Sequence, residues 1–86
     1  MGSRSFEGVR FCVYSNDHSP RHVHAFLAET RVIIDLLQSG EVRLAQREKA
    51  ITPPDSKITD VRKALRVAAE YFDELALLWE NTHGTT

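Results

Sequence analysis

The segment Asp17-His18-Ser19-Pro20-Arg21-His22-Val23-His24 holds three of the chain's four histidines beside an aspartate and an arginine. Imidazole has an unperturbed pKa of about 6.5, close to neutrality, and is the commonest metal ligand, so such clustering points to metal binding or to acid–base work. On a strand, His22 and His24 stand about 6.6 Å apart, at about 3.3 Å per residue, with their side chains on one face. A zinc-type divalent ion needs nitrogens at about 2.0–2.1 Å, three or four ligands in all, and hydrogen-bond partners that orient each imidazole. His18, His22 and His24 are the candidate nitrogens, and Asp35 from a neighbouring strand or Asp17 from the turn can complete the set. The spacing permits a metal without requiring one, because a His-x-His pair on a strand also serves as an exposed or interface pair. Without metal, the two histidines near Arg21 and Tyr14 offer an acid and a base for a phosphodiester. Ser15 and Ser19 lack the glycine-framed elbow of a nucleophilic serine, and Cys12 reads as a small strand filler.

The elements that must position these residues show in the hydrophobic period. Val9, Phe11 and Val13 alternate with Arg10, Cys12 and Tyr14, a period of two that predicts a strand over about 8–15. Asn16-Asp17-His18-Ser19-Pro20 is turn chemistry. A second strand over 22–28 puts Val23, Ala25 and Leu27 on one face and His22, His24 and Phe26 on the other. A third over 31–37 opposes Val32, Ile34 and Leu36 to Arg31, Ile33 and Asp35, and after Gln38-Ser39-Gly40 a fourth over 41–46 carries Val42 and Leu44. Thr52-Pro53-Pro54-Asp55-Ser56 closes the strand region and opens a helix over about 56–81. Ser56 is the preferred N-cap over Thr52, since Pro54 disfavours helical backbone at the residue before it. Ile58, Val61, Leu65, Ala68, Phe72, Leu75 and Leu78 or Trp79 recur at three and four, the stripe of an amphipathic helix. The expected fold is α+β, one domain over 1–86, with an antiparallel meander of three to four strands packed against one long C-terminal helix. His83-Gly84-Thr85-Thr86 reads as a frayed tail, outside the site.

If the helix covers the face bearing Val9, Phe11, Val13, Val23, Ala25, Leu27, Val32, Ile34 and Leu36, the histidines lie on the other face with Phe26 and Ile33. Two large apolar side chains there predict a cover from a small partner protein, a second copy or the segment with Phe6, and mark Phe26 and Ile33 as interface residues. Arg62, Lys63 and Arg66 with Glu70, Asp73 and Glu74 read as a solvated helix face. Arg43, Arg47 and Lys49 gather near the fourth strand without an aromatic stacking platform, a slight hint of nucleic acid.

Composition bounds the alternatives. With 86 residues, 42% hydrophobic and 27% charged, the chain has room for one compact core, and a formal charge of -1 gives no global pull toward nucleic acid. No apolar run approaches the about 18–20 residues of a membrane span, and the N-terminus has no basic-then-apolar leader. Gly2 does not open a myristoylation pattern, since Phe6 stands where Ser or Thr is needed. A single cysteine fits a reducing compartment, so the expected location is the cytoplasm. There is no P-loop, dinucleotide fingerprint or paired-cysteine motif.

Tyr14-Ser15-Asn16-Asp17-His18, then Pro20 and His22-Val23-His24-Ala25, then Ile33-Ile34-Asp35, and finally Asp73-Glu74-Leu75 with Trp79-Glu80 resemble domain of unknown function 4160, a family of small bacterial proteins of undefined activity. The resemblance runs from about Phe6 to Glu80, and the Asp-His-x-Pro-x-His-x-His string is its most specific part. Arg21 stands where members often have a second proline, and Ala28-Glu29-Thr30 where they often have a glycine. The resemblance implies a gene pair of the toxin and antitoxin kind with a small partner encoded alongside. It supplies no catalytic residue and carries Asp17, His18, Pro20, Arg21, His22 and His24 as motif positions only. The expected function is a bacterial protein-interaction module, with a metal-binding hydrolase or nuclease as the alternative.

Overall fold

The structure, a computed structural model, describes residues 2–83. In chain order its elements are β1 (Gly2–Phe6), β2 (Val9–Val13), β3 (His22–Leu27), β4 (Thr30–Leu36), β5 (Val42–Leu44), β6 (Ile51–Thr52), α1 (Ile58–Glu70) and α2 (Phe72–His83). All strand pairings are antiparallel, in the order β1-β2-β3-β4-β5, with β6 also on β4. The α+β meander is therefore present, with more strands than the alternation shows and two helices in place of one.

The extra strands differ from the expected ones for separate reasons. β1 has exposed Ser3, Arg4 and Ser5 and so shows no apolar alternation, as suits an edge strand. It is tied to β2 by a two-residue turn in which Glu7 (φ 50) and Gly8 (φ 83) both take left-handed backbone, the primed geometry that follows strand twist. β5 and β6 share one edge of β4. Ile34 faces Leu44 and Val32 faces Ile51, so residues 45–50 loop out opposite Ile33. The Ile33 N–H donates to the Ala50 carbonyl at 2.8 Å, and the Ala45 N–H donates to the Ile33 carbonyl at 2.9 Å. The ladder thus continues across the bulge.

The core sits between the sheet and the helices. Val9, Phe11, Val13, Val23, Ala25, Val32, Ile34 and Leu36 meet Val61, Ala64, Val67, Ala68, Leu75 and Leu78, with Leu27, Phe72 and Trp79 partly buried around them. The sheet's expected core face is the observed one. β1 joins it at Gly2, where an added methyl carbon would come within 2.6 Å of Leu78 Cδ1. Four expectations about the helix are corrected. It begins at Ile58 after Lys57, which makes no side-chain cap bond, while the Ser56 hydroxyl donates to the Pro53 carbonyl at 2.6 Å and so is spent on the preceding turn. It also breaks at Tyr71 (φ -108, ψ 31), whose ring stacks on Phe6 at 4.2 Å. Ile58 lies off the buried stripe, and α2 runs to His83 rather than fraying. The rest of the expected tail, 84–86, lies outside the described residues.

The opposite face is covered in part by the chain itself. Ile33 is buried by Ala45 and Ala50 from the bulge of its own chain, and Phe6 packs on the core side instead. Phe26 is half-buried, with the Arg10 guanidinium over its ring. No helix among the described residues is long and apolar enough to cross a membrane.

Candidate metal centre

The β2–β3 connection brings its acid back onto the strand that follows. Asp17 donates its N–H to the Tyr14 carbonyl at 3.0 Å and accepts the Tyr14 N–H on Oδ2, also at 3.0 Å. Both bonds are local, as expected of Asp in a tight turn. They leave Asp17 Oδ1 facing β3, where it lies 3.5 Å from His22 Nε2 and 3.4 Å from His24 Nε2. The two imidazoles sit on one face two residues apart, with ring centroids at 5.3 Å. One ligand atom from each of Asp17, His22 and His24 falls within 4.8 Å of the others.

His22 has its hydrogen bonding set by the backbone. Its Nδ1 donates to the Pro20 carbonyl at 2.8 Å, a group that can only accept. In that tautomer the Nε2 lone pair points into the cluster toward a carboxylate oxygen. His22 is 2% exposed, and Nε2 has no hydrogen-bond partner. Two acceptors facing each other are unfavourable, and a cation between them resolves the conflict. A carbonyl-bound Nδ1 with a free Nε2 is the usual arrangement of a metal-ligating histidine. The two separations from Asp17 agree with such a centre: ligands at about 2.05 Å from a tetrahedral zinc are about 3.3 Å from one another, close to the 3.4 and 3.5 Å found here.

Protonation states favour ligation as well. Burial, only partly opposed by the Asp17 carboxylate, holds the His24 pKa below its ordinary 6.5, so its ring is neutral at neutral pH. For Asp17, burial pushes the carboxyl up, but the Tyr14 N–H and the two imidazoles outweigh it, and the pKa lies below 3.8. A neutral imidazole and an ionised carboxylate are the forms that bind metal. The side chains of Asp17 and His24 are each 12% exposed, so the cluster opens to solvent on one side.

Other expected residues stand elsewhere. His18 is exposed and outside the group, and Asp17 provides the ligand atom from the turn. Asp35 is paired with His22 across the strands but turns its Oδ2 to Arg43 Nε at 3.4 Å. Arg21 is used structurally: Nε and Nη2 donate to the Leu36 and Leu37 carbonyls at 3.2 and 3.3 Å, and the guanidinium lies 5.3 Å from the Phe72 ring centroid. With Ser19, Pro20, Leu36, Leu37 and Gln38 it lines a groove of about 380 Å³ beside the turn, where the Ser19–Pro20 peptide is cis.

His83 and Trp79 are the residues sequence reasoning missed. The Trp79 ring lies 5.4 Å from that of His22 and stacks on His83 at 3.9 Å. The His83 ring nitrogens stand 3.0 Å from the Trp79 and Asp17 carbonyl oxygens. The end of α2 thus buttresses the Asp17 turn. Tyr14 closes another side, with its ring edge-on to His24 at 4.9 Å.

Set against known proteins, residues 8–80 match a family described as a domain of unknown function (DUF4160). No curated protein and no solved structure matches.

Proposed function

The chain belongs to the family of domain of unknown function DUF4160, and we propose that it is a divalent-metal protein whose centre is Asp17, His22 and His24. The observation that carries this reading is the buried, partnerless His22 Nε2 aimed at Asp17 Oδ1. Two imidazoles and one carboxylate leave at least one coordination position for water, the composition of a hydrolytic rather than a purely structural site. A metal-bound water with a pKa near ~7 supplies hydroxide at neutral pH. The test is cobalt(II) titration of chelator-stripped protein, followed by visible absorption. Ligand-field bands that reach saturation at one equivalent and are lost in His22→Ala, His24→Ala and Asp17→Asn, but kept in His18→Ala, are expected. A spectrum identical to free cobalt, or one lost only with His18, removes the centre.

A protein-interaction role in a toxin–antitoxin-like pair, in the bacterial cytoplasm, is the second reading. Leu77 supports it, an apolar side chain 53% exposed on α2, and the buried unpaired Cys12 suits a reducing compartment. Capture of the neighbouring gene's product, lost in Leu77→Glu, is its expected mark.

A further inference from the structure

One cross-strand row on the histidine face reads Arg10, Phe26, Arg31, Thr52, each directly opposite the next. The Arg10 guanidinium lies 4.9 Å from the Phe26 ring centroid. Arg31 Nη2 donates to Thr52 Oγ1 at 3.5 Å. Among the described residues neither arginine has a carboxylate partner, since Asp35 is taken by Arg43, and Asp17 by the histidines. His24 precedes Phe26 by one pleat repeat along β3, about 6.6 Å, and His22 precedes it by two.

Two unneutralised guanidinium groups on either side of an aromatic ring make a poor apolar docking patch. Ile33, the other large apolar side chain of this face, is already roofed by Ala45 and Ala50. The row instead has the two things a nucleic-acid strand requires, fixed positive charge for phosphate and planar groups on which bases stack, guanidinium planes included.

We propose that this row binds a single-stranded nucleic acid and so defines the substrate class of the adjoining metal centre. Arg10 and Arg31 contact phosphates, and a base lies on the layer formed by Arg10 and Phe26. RNA and DNA share this chemistry. Binding needs only the row, while turnover rests on the metal reading. In the hydrolysis, the oxygen of a metal-bound hydroxide bonds to phosphorus and the P–O ester bond breaks. The departing alkoxide takes up the proton that the water gave, leaving a phosphomonoester and an alcohol.

The experiment is fluorescence anisotropy of a short labelled oligouridylate and the matching oligothymidylate with chelator-stripped protein, so that strand binding is read without metal. Binding of either strand supports the proposal if it weakens about tenfold in Phe26→Ala and in Arg10→Ala. The slope of log affinity against log salt should also fall by about 0.7 for each arginine removed. Preference for oligouridylate assigns the ligand to RNA, and equal binding assigns it to the shared backbone. Arg10 is exposed, so its variant keeps the fold by circular dichroism even if Phe26→Ala does not. No binding of either strand at low salt, binding indifferent to both arginines, or a stable dimer that Arg10→Ala dissociates overturns it. Cobalt absorption contains no oligonucleotide, so a failed strand assay and a failed metal centre are told apart.

Discussion

His24 carries the clearest titration consequence in the molecule. Its pKa in the fold lies below the ordinary 6.5, chiefly through burial, so the folded state takes up its proton later than the unfolded chain does. In metal-free protein its neutral form therefore stabilises the fold fully above pH 6.5, and that contribution is lost as pH falls from there to the depressed value. Asp17, also held low, works in the same direction further into acid, below its ordinary 3.8. The expected result is a denaturation midpoint that declines as pH drops below about 6.5 in chelator, with a shallower decline between pH 6.5 and 5 in His24→Gln. Equal slopes for the two proteins would show that His24 does not resist protonation. The cluster itself was legible in the chain, because Asp17, His22 and His24 belong to one turn and the strand after it, and strand alternation puts both rings on one face. Which turn residue contributes was not, since it depends on the two bonds between Tyr14 and Asp17. His83 was illegible for a plainer reason: it meets the Asp17 carbonyl across 66 residues of chain, and only the packing of α2 on the sheet brings it there.

Among the elements, the four strands expected from the chain are present as β2, β3, β4 and β5, whereas β1, a polar edge, and β6, a two-residue piece, were not readable because their pairing comes from backbone geometry. The helix break at Tyr71 was masked by a stripe that passes through it without a glycine or proline. The β3–β4 hairpin shows what sequence reading does catch. Ala28 has a φ of 54, in the left-handed region, where an L-residue costs about 1–2 kcal/mol that glycine avoids. Leu27 and Thr30 close the turn as a direct pair, and the position is exposed. Ala28→Gly is therefore expected to stabilise the fold by about 0.5–1 kcal/mol after the entropy that glycine adds to the unfolded chain is counted. A two-state urea melt with an unchanged slope and a higher midpoint is the check. A lower midpoint would mean that Ala28 is unstrained.

At the scale of the whole molecule, the α+β plan was legible because a short chain with one alternating region and one helical stripe has few ways to bury both. The covering of Ile33 was not legible, since it needs the bulge at residues 45–50 to fold over the face that alternation leaves open. The same architecture sets how a metal should act on stability. The residues proposed to hold it come from the β2–β3 connection and from β3, a central strand whose turn α2 holds through His83, so the cluster exists only when sheet and helices are assembled. An ion that binds the folded chain alone stabilises it by RT ln(1 + [L]/Kd), about 2.7 kcal/mol at one hundred times Kd. For a domain of this length that corresponds to a rise in melting temperature of about 10–20 °C. Zinc added to stripped protein at neutral pH is expected to give a rise of that size. It should vanish in His22→Ala and His24→Ala and fade below about pH 6 as protons compete for the imidazoles. Because His18 is exposed and outside the cluster, His18→Ala should retain the full rise. A scanning calorimetry trace that is the same with and without zinc, nickel and manganese would leave Asp17, His22 and His24 as a hydrogen-bonded knot tying the turn to the sheet, with no metal chemistry to assign to them.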